Sequence, residues 1–185
     1  MGEGFKKIYE HAQHDVIVFL ENDFVIQSGD VHVLDDALKL LDQVDYVRLR
    51  SRSHPGVHNF AMHLASEPYE VVNACLHLSE CIYWIEDPET VHGNKITRLP
   101  FERKWYTSDS ASCNYANNPY ACKKSFFKEN ILPYCKFGAN IEDELTVPWS
   151  TAGHKCAFGP GLFTHKRVSE NLRRVPVTDF ANPSF

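Results

Sequence analysis

Three groups of residues, far apart along the chain, have types and spacing that could do chemistry. The first is Glu21-Asn22-Asp23, where the apolar run Val16 to Leu20 breaks off into two carboxylates. Carboxylates at the carboxyl end of a buried strand sit where open α/β sheets bind ligands, and they are hard oxygen donors suited to Mg²⁺ or Mn²⁺. The same two acids can instead cap the turn that follows, by accepting from local backbone N–H groups. The second group is Asn140-Ile141-Glu142-Asp143-Glu144-Leu145, three acids in the first turn of a helix that Asn140 caps. The helix dipole alone favours acids there, and a general base facing a cleft is the alternative. The third is Gly159-Pro160-Gly161-Leu162-Phe163-Thr164-His165-Lys166-Arg167. His165 is a metal ligand or a structural hydrogen-bonding residue; Lys166 and Arg167 suit phosphate oxygens, or form a solvated basic pair.

The elements that must position these groups follow from periodicity. Phe5, Ile8, Tyr9 and Ala12 fall at helical spacing over residues 4–13, and the β-branched run Val16 to Leu20 reads as a strand covered on both faces. Helix followed by buried strand is an α/β signature. A second helix is predicted over 31–43, with Leu34, Leu38 and Leu41 on one face and Asp30 as its cap. Tyr46 to Arg50 alternates Val47 and Leu49 with Tyr46, Arg48 and Arg50, the pattern of a half-exposed strand. Residues 51–68 read as irregular, residues 76–85 as a strand, and Val91 to Leu99 as a segment that pairs through a Gly93-Asn94 turn. Trp105 to Tyr120 reads as a polar, aromatic loop, followed by a helix over 123–130. The helix after Asn140 should bend or end at Pro148, with Gly153 as its C-cap. Lys155 to Phe158 and Gly161 to Thr164 read as short extended pieces, and residues 173–185 as a tail beyond a single domain over 1–172.

Composition narrows the function classes. The chain has 185 residues, long enough for one domain with a substantial core. Its net charge of -5 argues against a nucleic-acid binder, which needs a basic face. An acidic protein that binds a diphosphate needs a local cation, from Lys and Arg or from a metal. The six cysteines show no C-x-x-C pair, so neither a zinc ribbon nor a thioredoxin motif is readable, and His54, His58 and His63 have no matching carboxylate or Cys spacing for a metal. With no signal-like segment and no run long enough to span a bilayer, a cytoplasmic location is the expectation.

The order of the three groups resembles the GT-A glycosyltransferases, in particular the family-2-like enzymes. The resemblance covers about residues 4–167, and is strongest over Val16 to Asp23 and Asn140 to Arg167. It implies a three-layer α/β/α sandwich with a mixed, mainly parallel sheet. It also implies a nucleotide-diphosphate sugar as donor, a glycan or protein as acceptor, and Mn²⁺ or Mg²⁺ as cofactor. Carried over by position, Asp23 and His165 would hold the metal, Glu21 would lie near the ribose or a metal-bound water, and Lys166 and Arg167 would lie near the diphosphate. The catalytic base would be Asp143, with Glu142 as the neighbouring alternative. Glu21 departs from the Asp usual at the first acidic position. Trp105, Tyr106 and Tyr115 could stack on sugar rings, and Ser108, Asp109 and Asn118 could bond sugar hydroxyls; for the aromatics, local packing is the competing role.

GT-A domains ordinarily begin with a β-α-β unit that binds the base and ribose, whereas here one helix precedes the acid-tipped strand. The resemblance therefore implies a fragment, a unit supplied by another chain, or a domain without donor binding. A sheet lacking those strands would expose an edge, so self-association is an expectation. Three functions stand at this point: an inverting, metal-dependent transferase, a non-catalytic glycan- or protein-binding module, and a sugar-nucleotide hydrolase.

Overall fold

The computed structural model describes residues 2–26, 30–51 and 86–165. Helix α1, Gly2–His11, leads into strand β1, Val16–Phe19, and after a turn into β2, Phe24–Ile26. Helix α2, Val33–Leu40, precedes β3, Tyr46–Arg48. Then come α3, Pro88–Val91, β4, Thr97–Arg98, β5, Tyr106–Asp109, β6, Tyr120–Lys123, and α4, Lys124–Asn130. A short 3-10 turn, Leu132–Tyr134, precedes α5, Ile141–Ala152, and the described chain closes with β7, Lys155–Phe158, and β8, Phe163–His165.

Among the described residues, six strands form one sheet in the order β1-β6-β3-β7-β5-β4, and β2 pairs with β8 in a separate two-stranded ribbon. Only β3 and β7 pair in parallel; every other pairing in the six-stranded sheet is antiparallel. The expected mainly parallel sheet is therefore corrected to a mixed α/β fold with a mainly antiparallel sheet. The reason lies in strand order. β1 and β3 run the same way, but β6 lies between them and pairs with both in antiparallel register, Val16 with Lys123 and Tyr46 with Cys122.

Helices cover both faces. On one face Phe5 of α1, Phe127 of α4 and Ile141, Leu145 and Trp149 of α5 pack on Ile17, Phe19, Tyr46, Tyr120 and Phe158. On the other, Val33, Ala37 and Leu40 of α2 pack on Val47, Leu49, Ala121 and Ala157. Strand β1 is not covered on both faces as its apolar run suggests: Ile17 and Phe19 are buried, while Val18 and Leu20 are nearly half exposed at the sheet edge. Strand β3 errs in the other direction, with all three residues buried. No helix among the described residues is long and apolar enough to cross a membrane.

Local signals explain the helix ends. The carboxylate of Asp30 accepts from the His32 N–H at 3.0 Å just ahead of α2. Asp36, buried within that helix, accepts from Arg103 Nη1 and from the Trp105 indole N–H, both at 3.0 Å, which fastens the 99–105 segment to α2. Asn140 caps α5 through the Glu142 N–H at 3.2 Å, and Gly153 ends it in a left-handed conformation, φ 71°. Pro148 does not end α5, which continues to Ala152 because Leu145 and Trp149 stay anchored in the core on either side. The expected Gly93-Asn94 hairpin does not form; Val91 ends α3, and Thr97 and Arg98 pair with Tyr106 and Thr107 of β5. The predicted strand over 76–85 lies outside the described residues, as do the three histidines His54, His58 and His63.

Two histidines give the fold an acid-sensitive component. Burial lowers the pKa of His92 and of His154 below the usual 6.5, with the charge of Lys95 adding to the effect at His92. Both are held neutral in the folded state, so the stability they contribute is complete above the unfolded value and declines as pH falls from about 6.5 through the lowered folded values. His32, whose pKa the carboxylates of Asp35 and Asp30 raise, contributes with the opposite sign. The effect of His92 and His154 is therefore read as a urea unfolding midpoint that falls less, or rises more, between pH 7 and pH 5 in a His92→Gln, His154→Gln double variant than in the parent.

Candidate site at the carboxyl ends of the parallel strands

Strands β1, β3 and β7 run in one direction, so their carboxyl ends gather at the same end of the sheet, together with the start of β6. Chain extensions beyond the strands lace this end together. Leu49 N–H donates to the Pro119 carbonyl at 2.7 Å, Leu162 N–H to the Leu49 carbonyl at 2.7 Å, and Ser51 N–H to the Phe163 carbonyl at 2.7 Å. The crossing is close enough to require Gly161. At its φ of 62°, a side chain would be strained, and a Cβ there would lie 2.2 Å from the Arg50 carbonyl oxygen.

At this end Glu21 and Asp23, both half-buried, occupy a turn closed by Phe24 N–H donating to the Glu21 carbonyl at 3.3 Å. The ribbon of β2 and β8 pairs Phe24 with His165 and Val25 with Thr164. In backbone register His165 thus lies one residue from Asp23, although 142 positions separate them in sequence. Lys166 and Arg167 lie outside the described residues.

The other half of the site hangs on alternate residues of β3 and its extension. Tyr46 Oη donates to the Ala116 carbonyl at 2.9 Å. Arg48 Nη2 donates to Asn114 Oδ1 at 2.6 Å and to the Asn114 carbonyl. Arg50 Nη1 donates to Asn118 Oδ1 at 2.9 Å, and its guanidinium lies 5.8 Å from the centre of the Phe24 ring. Three side chains at period two therefore hold the 114–118 loop against the sheet. The loop in turn holds α5, because Asn117 N–H donates to Glu142 Oε1 at 2.7 Å, and Trp149 Nε1 donates to the Cys113 carbonyl at 2.7 Å. A continuous path of contacts runs from the Asp23 turn through Phe24, Arg50, Asn118 and Asn117 to Glu142, next to Asp143.

The two candidate bases differ in their engagement. Glu142 is half-buried and spends an oxygen on the loop. Asp143 is exposed, and among the described residues no hydrogen bond or ion pair engages its carboxylate. Glu144 pairs with Lys136. Asp143 is thus the acid of this turn with its lone pairs open to a ligand, and Glu142 serves to position the loop.

Several expected substrate contacts are corrected. Trp105 is fully buried beneath Gly159, with its indole N–H on Asp36, so its ring faces are closed to a sugar. Tyr106 and Tyr115 are buried as well, Tyr115 in an aromatic group with Tyr46, Tyr120 and Trp149. Asp109 is exposed but pairs with Lys155, where β7 begins, so it lies at the opposite end of the sheet. Ser108 is buried and donates to the Asp109 carbonyl at 3.1 Å. Asn118 alone of these lies within the site, on Arg50.

Among the described residues no three His, Cys, Asp or Glu side chains group to hold a metal ion. The two carboxylates of the Glu21 turn fit a narrower requirement, since Mg²⁺-type ions are held by one or two carboxylates, with water and substrate phosphates completing the shell. The contribution of Arg48 and Arg50 escapes the sequence reading, which leaves that face of β3 to solvent. Its signal was the coincidence of two arginines at period two with the asparagine-rich run Asn114, Asn117 and Asn118.

Truncating Glu142 to Ala should strand the buried Asn117 N–H and destabilise the protein by about 1–3 kcal/mol in urea titrations, whereas Glu142→Gln keeps an acceptor and should cost less. Amide exchange at Asn117 should accelerate in the Ala variant only. No protein-family model matches the chain, and neither a curated protein nor a solved structure matches it.

Proposed function

We propose that the chain is a metal-dependent, inverting glycosyltransferase of GT-A type, or the catalytic portion of one. The observation that carries the reading is the contact path from the Asp23 turn to the first turn of α5, which gathers three groups of residues distant in sequence at the carboxyl ends of β1, β3 and β7. In open parallel α/β sheets ligands bind outside the carboxyl ends of the strands, and β3 with β7 is the parallel pair of this sheet.

In this reading Asp143 accepts the proton of an acceptor hydroxyl as the hydroxyl oxygen bonds to the anomeric carbon of the donor sugar. The bond from that carbon to the diphosphate oxygen breaks, the bonding pair leaves with the diphosphate, and the configuration inverts. Asp23 and His165 would hold a divalent cation, which when bound supplies positive charge to the leaving diphosphate. Glu21 would lie near the ribose, and Lys166 and Arg167 near the diphosphate. Glu142 keeps the first turn of α5 in place through Asn117. Arg50 braces the two sides against each other, on Phe24 and on Asn118. A second reading, a non-catalytic module, draws support from the exposed Val18 and Leu20 at the β1 edge, a surface suited to partner contact.

Calorimetric titration with UDP, GDP and CDP, with and without Mn²⁺, separates the two. Metal-dependent binding of at least one nucleotide, lost in Asp23→Ala, is the expected result. Asp143→Asn should retain that binding and lose roughly 10² to 10⁴-fold in transfer rate. Absence of metal-dependent binding with every nucleotide would leave the non-catalytic module, and full transfer by Asp143→Asn would remove Asp143 from the base role.

A further inference from the structure

Strand β1 ends the six-stranded sheet, and among the described residues β6 is the one strand that pairs with it. The register fixes which of its backbone groups are left over. The Asp15 carbonyl accepts from Lys124 N–H at 2.7 Å, and these two residues continue the pairing of Val16 with Lys123. Bonded and non-bonded pairs alternate along an antiparallel ladder, so Ile17 and Phe19 turn their N–H and C=O groups toward β6, as Asp15 does. Val16, Val18 and Leu20 turn theirs away, out of the sheet.

The side chains of this edge lack the usual protection. Edge strands are kept from pairing with other chains by charge, proline or a bulge. Val16 to Leu20 holds no charged residue and no proline, and the register with β6 runs unbroken from Val16 to Phe19. Val18 and Leu20 are 46% and 45% exposed. Beneath them Ile17 and Phe19 are buried, and Phe5 of α1 stacks on Phe19 with centroids 4.8 Å apart, so the strand is fixed in place with an apolar edge outside.

Such a strand is complementary to itself. A two-fold axis through Val18 sets it against the second copy's Val18, and sets Val16 against the second copy's Leu20. Both members of each pair present outward backbone groups, so each pair exchanges both N–H···O bonds. On the other face Ile17 meets the second copy's Phe19. Sliding one strand by two residues would set His14 or Asn22 against the apolar run, so the register centred on Val18 is the one that matches apolar residues throughout. Just beyond it, Asp15 falls opposite the second copy's Glu21, a like-charge pair at each end.

We infer that β1 is the interface of a homodimer, in which two copies of this chain join their sheets through antiparallel β1–β1 pairing centred on Val18. The occupant is a second copy because the strand, paired with itself, satisfies its own outward backbone groups and meets apolar with apolar on both faces. The contact is isologous and closes on itself, so it stops at two chains. It does not depend on the transferase reading.

The interface is small, so the dissociation constant should be about 1–100 µM. Analytical ultracentrifugation of the full chain from about 5 to 500 µM should show a monomer–dimer equilibrium. Raising NaCl from about 50 to 500 mM should tighten it, because Asp15 is then screened from the second copy's Glu21. Amide exchange reads the register without any substitution: Val16, Val18 and Leu20 should gain protection as concentration rises, while Ile17 and Phe19 are protected throughout. Val18→Lys and Val18→Glu each set like charges face to face on the axis, so each should be monomeric alone, and the two should associate when mixed. Val18 is nearly half exposed, so both variants should keep the parent's circular dichroism. A parent that stays monomeric over this range, a dimer that survives Val18→Lys, or variants that stay apart when mixed would overturn the inference. So would protection that appears elsewhere than on the alternate residues of β1, or a dimer that salt dissociates, since its contacts would then be ion pairs on another surface.

Discussion

The organisation of this molecule depends on one constraint, the attachment of the 114–118 loop to alternate side chains of β3 and its extension. Tyr46, Arg48 and Arg50 point to the same face because residues two apart in a strand do so, and each takes a different residue of the loop, Ala116, Asn114 and Asn118. Burying two guanidinium groups in a sheet is costly unless their donors are met. Carbonyl and amide oxygens of the loop meet them, so the loop cannot leave without stranding charge. Because Asn117 in the same loop holds Glu142, the constraint passes on to α5.

The aromatic group beneath the loop makes that attachment dry. The Tyr46 ring stacks on Tyr120 with centroids 4.6 Å apart and meets the Trp149 ring edge-on at 5.2 Å. Tyr115 closes over both Tyr120 and Trp149. The polar bonds of the ladder therefore sit at the border of an apolar cluster, where a lost hydrogen bond is not replaced by water. Burial drives the Tyr46 and Tyr120 hydroxyls far above the usual phenol range, so both remain neutral at any physiological pH. The opposite face has its own fastening, in which Asp36 of α2 bonds both Arg103 and Trp105. Trp105 is consequently a wall of the core under Gly159, and not a surface for a ligand.

Local signals were readable where local physics decides. Asn140 and Gly153 bound α5 as caps should, whereas α2 is capped at His32, and Asp30 bonds the turn ahead of it. The turn at Glu21 follows a strand, and the β7 segment is extended. Strand direction was not readable, because it is decided by which strand lies beside which. β6 inserts between β1 and β3, and no periodicity in any one of them records that neighbour. The faces of β1 and β3 were exchanged for the same reason. An apolar run at a sheet edge keeps exposed Val18 and Leu20, while an arginine-bearing strand at the centre is buried, since exposure depends on the layer above and not on the residue alone.

By itself, the sequence determined the chemistry on offer: two carboxylates at a strand end, three acids at a capped helix start, a late histidine, and a polar, aromatic segment before residue 120. Residue type and short-range geometry settle such features, since a cap or a turn involves neighbours a few residues away. Tertiary structure alone decided which of them meet. The β2–β8 ribbon sets His165 one residue from Asp23 in register, and Arg50 joins Phe24 to Asn118, which lies 68 positions after the arginine. It also sent Asp109 to the far end of the sheet and Trp105 into the core, while leaving Phe137 outside. These outcomes follow from packing between distant segments, which must bury apolar faces and satisfy every buried polar group at once.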